Sequence, residues 1–111
     1  MMKDYNMSIE LNPEDSYAYA NRGLTYSNLK QYDEAIEDYN KSIEINPENS
    51  HTYANRGLVY YRLRQDDEAM KDYNKAIEID PENSIVYSNR GLVYHNRKQY
   101  DEAMNEYNKS I

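Results

Sequence analysis

NRGL stands at residues 21–24, and again at 55–58 and 89–92. Each copy lies within a stretch whose apolar residues recur at helical spacing, so each sets a glycine inside a helix, at about 1 kcal/mol relative to alanine. Three such glycines kept in register imply a compensating contact, a place where a neighbouring helix comes too close for a side chain. The spacing between them is 34 residues, and it is shared by Pro13, Pro47 and Pro81 and by Ala35, Ala69 and Ala103. The chain is therefore an array.

Sliding residues 16–49 onto 50–83 gives 23 identities in 34, and 50–77 onto 84–111 gives 17 in 28. Residues 1–15 match 35–49 at 9 of 15 places. The organisation expected is one array over 1–111: a half repeat at 1–15, repeats at 16–49 and 50–83, and a truncated repeat at 84–111.

PEDS at 13–16 and PENS at 47–50 and 81–84 place a helix-stopping proline before Asp, Asn and Ser, good amino-terminal caps. A first helix starts there and runs to about residues 29, 63 and 97. A second runs from DEA, at 33–35, 67–69 and 101–103, towards the next proline, with Asp and Glu in its first turn suiting the helix dipole. The short connection predicts antiparallel pairs, seven helices in all. In the first helix Tyr19, Arg22, Gly23 and Tyr26 form one stripe; in the second Ile36, Tyr39 and Ile43 form another around Ala35. The expectation is that Gly23 lies opposite Ala35, leaving room for the tyrosines on either side.

These positions resemble the tetratricopeptide repeat, whose pattern is W-x2-L-G-x2-Y, A-x3-F and P at this period. Here it reads Tyr19, Arg22-Gly23, Tyr26, Ala35, Tyr39, Pro47, then Tyr53, Arg56-Gly57, Tyr60, Ala69, Tyr73, Pro81, then Tyr87, Arg90-Gly91, Tyr94, Ala103, Tyr107. Tyr replaces Trp, Arg replaces Leu and Tyr replaces Phe. The resemblance implies an all-α, right-handed superhelical solenoid of antiparallel helix pairs. Its inner groove, lined by each first helix, would hold a peptide or protein segment, with no enzymatic chemistry and no cofactor.

One specialised form of the family grips an acidic carboxyl-terminal tail with Lys and Asn on one first helix, Asn on the next, and Lys and Arg on the third. Aligned on the glycines, those places hold Ala20, Leu24, Asn55, Ile85 and Asn89. Only Asn55 matches, so that specificity is not expected.

Arginine on a packing stripe needs a counter-charge, and each repeat has an acid immediately before its second-helix tyrosine: Asp38, Asp72 and Glu106. Ion pairs within the array are the expected use. Fourteen tyrosines, with no Phe or Trp, read mainly as packing residues, while Tyr17 and Tyr61 fall off the stripe and are candidates for ligand contact.

The first-helix face turned about 200° from the packing stripe carries Tyr17, Asn21, Leu24 and Asn28. Its counterparts are His51, Asn55, Leu58 and Arg62, then Ile85, Asn89, Leu92 and Asn96. Asn and Leu recur as ladders. A row of Asn can pair with the backbone of an extended peptide while Leu supplies apolar contact. Residues 16–30, 50–64 and 84–98 hold eight Lys or Arg and no acid, so this face should be positive relative to the acidic second helices. The expected ligand is a protein or peptide, partly apolar and neutral to acidic.

Composition excludes other classes. There is no cysteine, and His51 and His95 occupy non-equivalent places, so no metal site is expected. A net charge of −7 opposes nucleic acid and anionic membrane, leaving an RNA-binding helical repeat an unfavoured alternative. No apolar run approaches the roughly 20 residues of a membrane span, and no secretory leader is visible, which makes a cytoplasmic protein the default. Ala103, Met104, Tyr107 and Ile111 form an apolar face with no following first helix, so weak self-association as a scaffold is the structural alternative.

Overall fold

The computed structural model describes residues 2–96 and 100–110, and the side chains of 4–96 and 105–110. Among them are seven helices: α1 (Met2–Leu11), α2 (Ser16–Asn28), α3 (Tyr32–Ile45), α4 (Ser50–Arg62), α5 (Asp66–Ile79), α6 (Ser84–Asn96) and α7 (Tyr100–Ser110), with no strand. The expected continuation of α6 to residue 97, and the apolar contributions of Ala103, Met104 and Ile111, lie outside the described residues; Tyr107 is half-buried.

The caps follow the turn sequences. Asp15 accepts a hydrogen bond from the Ala18 N–H and Asn49 from the His51 N–H, so these, rather than the serines, are the capping residues. The serines do something else. Ser16 Oγ and Ser42 Oγ each donate to the other's backbone carbonyl, at 3.0 and 2.9 Å, and Ser50 Oγ donates to Ala76 O at 3.0 Å. They tie the starts of α2 and α4 to the ends of α3 and α5. Helices α2 and α4 stop through a Schellman-type turn: after α2, Lys30 N–H bonds Ser27 O and Gln31 N–H bonds Tyr26 O. Lys30 and Arg64 occupy the left-handed position of that turn, with φ of 62° and 61°. The second helices stop at Ile45 and Ile79, two residues before each proline.

The glycines do make space, and for a tyrosine, as expected. A Cβ on Gly23 would lie 2.9 Å from Tyr39 Cε1 and 3.3 Å from Ala35 O, and one on Gly57 would lie 2.7 Å from Tyr73 Cε1. The occupant is the ring of the second-helix tyrosine, and Ala35 contributes only its carbonyl oxygen. At Gly23 the close approach involves both the Ala35 backbone and the tyrosine ring one turn further along α3. Tyr39 and Tyr73 are consequently fully buried, within clusters that include Ala35 and Val59, and Ala69, Ala76, Val86 and Val93.

Each arginine of the stripe joins two repeats. Arg22 donates from Nε and Nη2 to the two carboxylate oxygens of Asp38, at 2.8 and 2.7 Å, and from Nη1 to Asn6 of the preceding unit at 3.0 Å. Arg56 repeats this on Asp72 and Asn40, and Arg90 reaches Glu106 and Asn74. The Arg22 and Arg56 guanidinium groups also lie over tyrosine rings from their own helix, Arg56 at 5.7 Å from Tyr53 and 5.9 Å from Tyr60. Hydrogen bonding to the acid pushes the pKa of Arg22 and Arg56 up. Burial pushes the Asp72 carboxyl up in turn, outweighing the pull of Arg56 in the other direction.

Curvature follows from which helices touch. α2 contacts α4 and α4 contacts α6, whereas α3 makes no contact with α5. First helices are thus gathered on the inside of the bend, second helices spread along its outside, and the whole measures 48 × 25 × 20 Å. No described helix is long and apolar enough to cross a membrane.

Candidate functional site

The inner surface is built by α2, α4 and α6 lying side by side. Because their packing stripes are occupied by Gly, Arg and Tyr, the face turned away from α3, α5 and α7 is left to solvent. Tyr17 and Ile85 are each 67% exposed, Leu24 43% and Leu92 40%. Asn21, Asn28, His51, Arg62 and Asn96 are also exposed, while Asn55, Leu58, Tyr61 and Asn89 are half-buried. Among the leucines the difference has a geometric cause: α4 is flanked on both sides, so Leu58 sits at the floor of the groove while Leu24 and Leu92 lie on its walls.

Among the described residues, the amides of Asn21, Asn55 and Asn89 bond no other side chain or backbone group of the chain, which leaves both donor and acceptor free. Leu24, Leu58 and Leu92 alternate with them one turn away. The structure therefore brings the two ladders onto one surface.

At one end of this surface Asn96 Nδ2 donates to the Tyr61 hydroxyl at 2.6 Å, bridging α6 and α4. Beside the bridge is an open pocket of about 470 Å³ lined by Tyr61, Arg62, Arg64, Asp66 and Asn96. Arg64 and Asp66 belong to the turn between α4 and the start of α5, and the angular reading of a single helix could not reach them. Asn6, Asn40 and Asn74 were also overlooked as partners of the arginines, although the recurring Tyr-Asn dipeptide at this period marked them. His51 stands exposed at the rim and His95 is exposed on α6. Among the described residues no three His, Cys, Asp or Glu side chains are grouped to hold a metal ion.

The tetratricopeptide repeat profile matches residues 16–49 and 51–83, and a second profile of that repeat matches 72–105. The chain belongs to the tetratricopeptide repeat family. Its fold is that family's helical solenoid. Among solved structures it is similar to MamA, at TM-score 0.90 and 26% identity over 98% of this chain and 64% of that one. A second likeness is to the Arabidopsis OM64 TPR domain, at 0.84 and 28% over 87% of this chain and 80% of that one. A third is to the first TPR of Spaghetti (RPAP3) bound to HSP90 peptide SRMEEVD, at 0.82 and 28% over 86% and 75%. The chain thus spans less than two thirds of MamA. Comparison of the sequence with curated proteins gives no match.

Proposed function

We propose that this tetratricopeptide array binds an extended, partly apolar, neutral to acidic peptide segment in the groove formed by α2, α4 and α6. The observation carrying the proposal is the pair of ladders: Leu24, Leu58 and Leu92 beside Asn21, Asn55 and Asn89, on three helices that contain no acid. Unpaired side-chain amides suit an extended backbone, which presents one donor and one acceptor per residue, and leucines one turn away suit its alternate side chains. Arg62 at the groove's edge favours an acidic residue at the end of the bound segment. A similar TPR domain, that of RPAP3, holds a peptide with two glutamates and a terminal aspartate. The basic clamp positions of that specialised form, at Ala20, Ile85 and Asn89, are not basic here, which argues for a different, neutral to acidic, sequence as the ligand.

Self-association through the terminal helices has less support. It would set the second-type helix α7 of one copy against α1 of another, and second-type helices do not touch one another along the array, as α3 and α5 illustrate. The groove is tested by selecting binders from a random peptide library on the intact chain and re-measuring them on Leu58→Asp and Leu92→Asp. Peptides that bind all three equally well overturn it.

A further inference from the structure

The middle repeat departs from both of its neighbours at four places around the turn between its helices. Tyr61 stands where the others have Ser27 and His95, Arg62 where they have Asn28 and Asn96, Arg64 where they have Lys30 and Lys98, and Asp66 where they have Tyr32 and Tyr100. All four line one cavity, the open pocket of about 470 Å³ that Asn96 of α6 completes. In the first repeat the Tyr32 ring packs against the cluster of Ala35, Tyr39 and Val59. An aspartate at residue 66 has no ring to fill the corresponding space.

Internal packing does not use the cations gathered there. Arg22, Arg56 and Arg90 are each held in an ion pair. Arg62 and Arg64 are exposed, and among the described residues neither guanidinium has a hydrogen-bond or ion-pair partner. The Tyr61 hydroxyl accepts from Asn96 Nδ2 at 2.6 Å, which leaves its own O–H to donate. Asp66 already has a partner of its own. The pocket therefore offers donors from two guanidinium groups and a phenol. A carboxylate, with one charge and two oxygens, is satisfied by a single arginine fork. A phosphate monoester carries a charge of about −1.5 to −2 at neutral pH and three strong acceptor oxygens, and so can engage both arginines and the phenol.

We propose that this pocket reads a phosphorylated side chain on the segment bound in the groove, phosphotyrosine in preference to phosphoserine. The proposal rests on the groove reading above and adds a regulated form of its ligand. Volume decides between the two amino acids: small-molecule pockets span roughly 300–1,000 Å³, and an aryl phosphate occupies far more of this one than a phosphate on a single methylene does. The Tyr61 ring gives the aryl group an apolar wall, while Arg62 and Arg64 take the phosphoryl oxygens. Against a singly charged side chain the exposed Arg62 mainly steers. Against a dianion, with Arg64 beside it, it holds.

Two probes test the proposal on the intact chain. Phenyl phosphate, titrated by NMR, should give saturable millimolar shifts at Tyr61, Arg62, Arg64 and Asn96, and none in the double variant Arg62→Asn with Arg64→Gln. Residue 62 then carries what the other two repeats have, so the fold is kept. The second probe is a library-selected groove peptide resynthesised with tyrosine, phosphotyrosine, phosphoserine or glutamate at each position in turn. Phosphotyrosine at one position should tighten binding roughly tenfold over tyrosine, the factor that about 1.4 kcal/mol represents. The double variant should abolish that gain and leave the affinity of the tyrosine peptide nearly unchanged. Phenyl phosphate shifts that are absent, unsaturable or equal in the double variant overturn the pocket. A glutamate or phosphoserine peptide that gains as much as phosphotyrosine overturns the stated ligand. Pocket shifts by phenyl phosphate without any groove-binding peptide support the pocket and instead overturn the groove reading.

Discussion

Arg90 holds Glu106 by one hydrogen bond, Nη2 to Oε1 at 2.6 Å, where Arg22 and Arg56 hold their aspartates by two. The extra methylene of glutamate displaces the carboxylate from the plane of the guanidinium fork. Arg90 Nε and Glu106 Oε2 are then both buried with no partner. Leaving such groups unpaired costs about 1–3 kcal/mol each before relaxation. Glu106→Asp should restore the two-point geometry and raise stability by about 1 kcal/mol, read as a higher urea midpoint with unchanged slope. An unchanged or lower midpoint would count against this account of the third repeat.

The Arg56–Asp72 pair is a different case, because its geometry is already complete. Asp72 is 4% exposed, and its carboxyl is pushed up by burial in spite of Arg56, so attraction does not fully offset desolvation. Removing one partner leaves a half-buried charge: Asp72→Asn should destabilise by about 3 kcal/mol. Replacing both, as Arg56→Leu with Asp72→Leu, should recover most or all of that loss. Thermal unfolding of the single and double variants checks both outcomes, and a double variant as unstable as the single would show that the pair contributes net stability.

Gly57 tests the packing of the hairpin. Alanine is the better helix former by about 1 kcal/mol, yet its Cβ would lie 2.7 Å from a ring carbon of the fully buried Tyr73. Overpacking at about 1–3 kcal/mol outweighs the propensity gain. Gly57→Ala should therefore be destabilising, and Gly57→Leu severely so. Truncating the ring, as in Gly57→Ala with Tyr73→Leu, should remove the clash and show a favourable coupling in a double-mutant cycle. A Gly57→Ala variant more stable than the parent would sink the argument.

What the sequence displayed and what it hid divide along a physical line. The repeating Pro, Gly and Ala fixed the number, order and pairing of helices, because turn chemistry and helical spacing are local. The side chains facing the groove were legible too, since a helix with one face committed to packing leaves the opposite face by rotation alone. The offset between two antiparallel helices is not local. Spacing identifies a stripe on each, but only the contact decides that the Tyr39 ring, beside the Ala35 carbonyl, fills the space at Gly23. The Tyr61–Asn96 bridge and the pocket beside Arg64 and Asp66 depend likewise on how closely successive repeats approach.

Tyrosine stands where the family pattern has phenylalanine, and at residue 39 its hydroxyl is buried without a partner. Burial pushes the Tyr39 pKa up, as expected of a phenol shielded from water. A desolvated, unpaired hydroxyl is a liability, so Tyr39→Phe should be neutral or stabilising by up to about 1 kcal/mol. The readout is the denaturant midpoint; a loss of more than about 1 kcal/mol would mean that the hydroxyl has a partner, such as an internal water.

The groove is probed best at its centre, where Asn55 and Leu58 sit on the floor between α2 and α6. For a library-selected peptide, Asn55→Ala should remove a backbone-directed hydrogen bond worth about 1 kcal/mol. Leu58→Asp should weaken binding further, because it removes apolar contact and sets a negative charge against an acidic ligand. Both positions are away from the packing stripe, so helicity should be intact in each variant. Arg62 is exposed at the edge and should steer more than it holds. Raising salt, which screens over about 8 Å at physiological strength, should slow association modestly and leave dissociation nearly unchanged. The contrasting variants are Glu44→Gln and Glu78→Gln on the outer helices, which should not alter affinity. If those two weaken binding while Asn55→Ala and Leu58→Asp do not, the ligand occupies the acidic outer face and the groove is not the site.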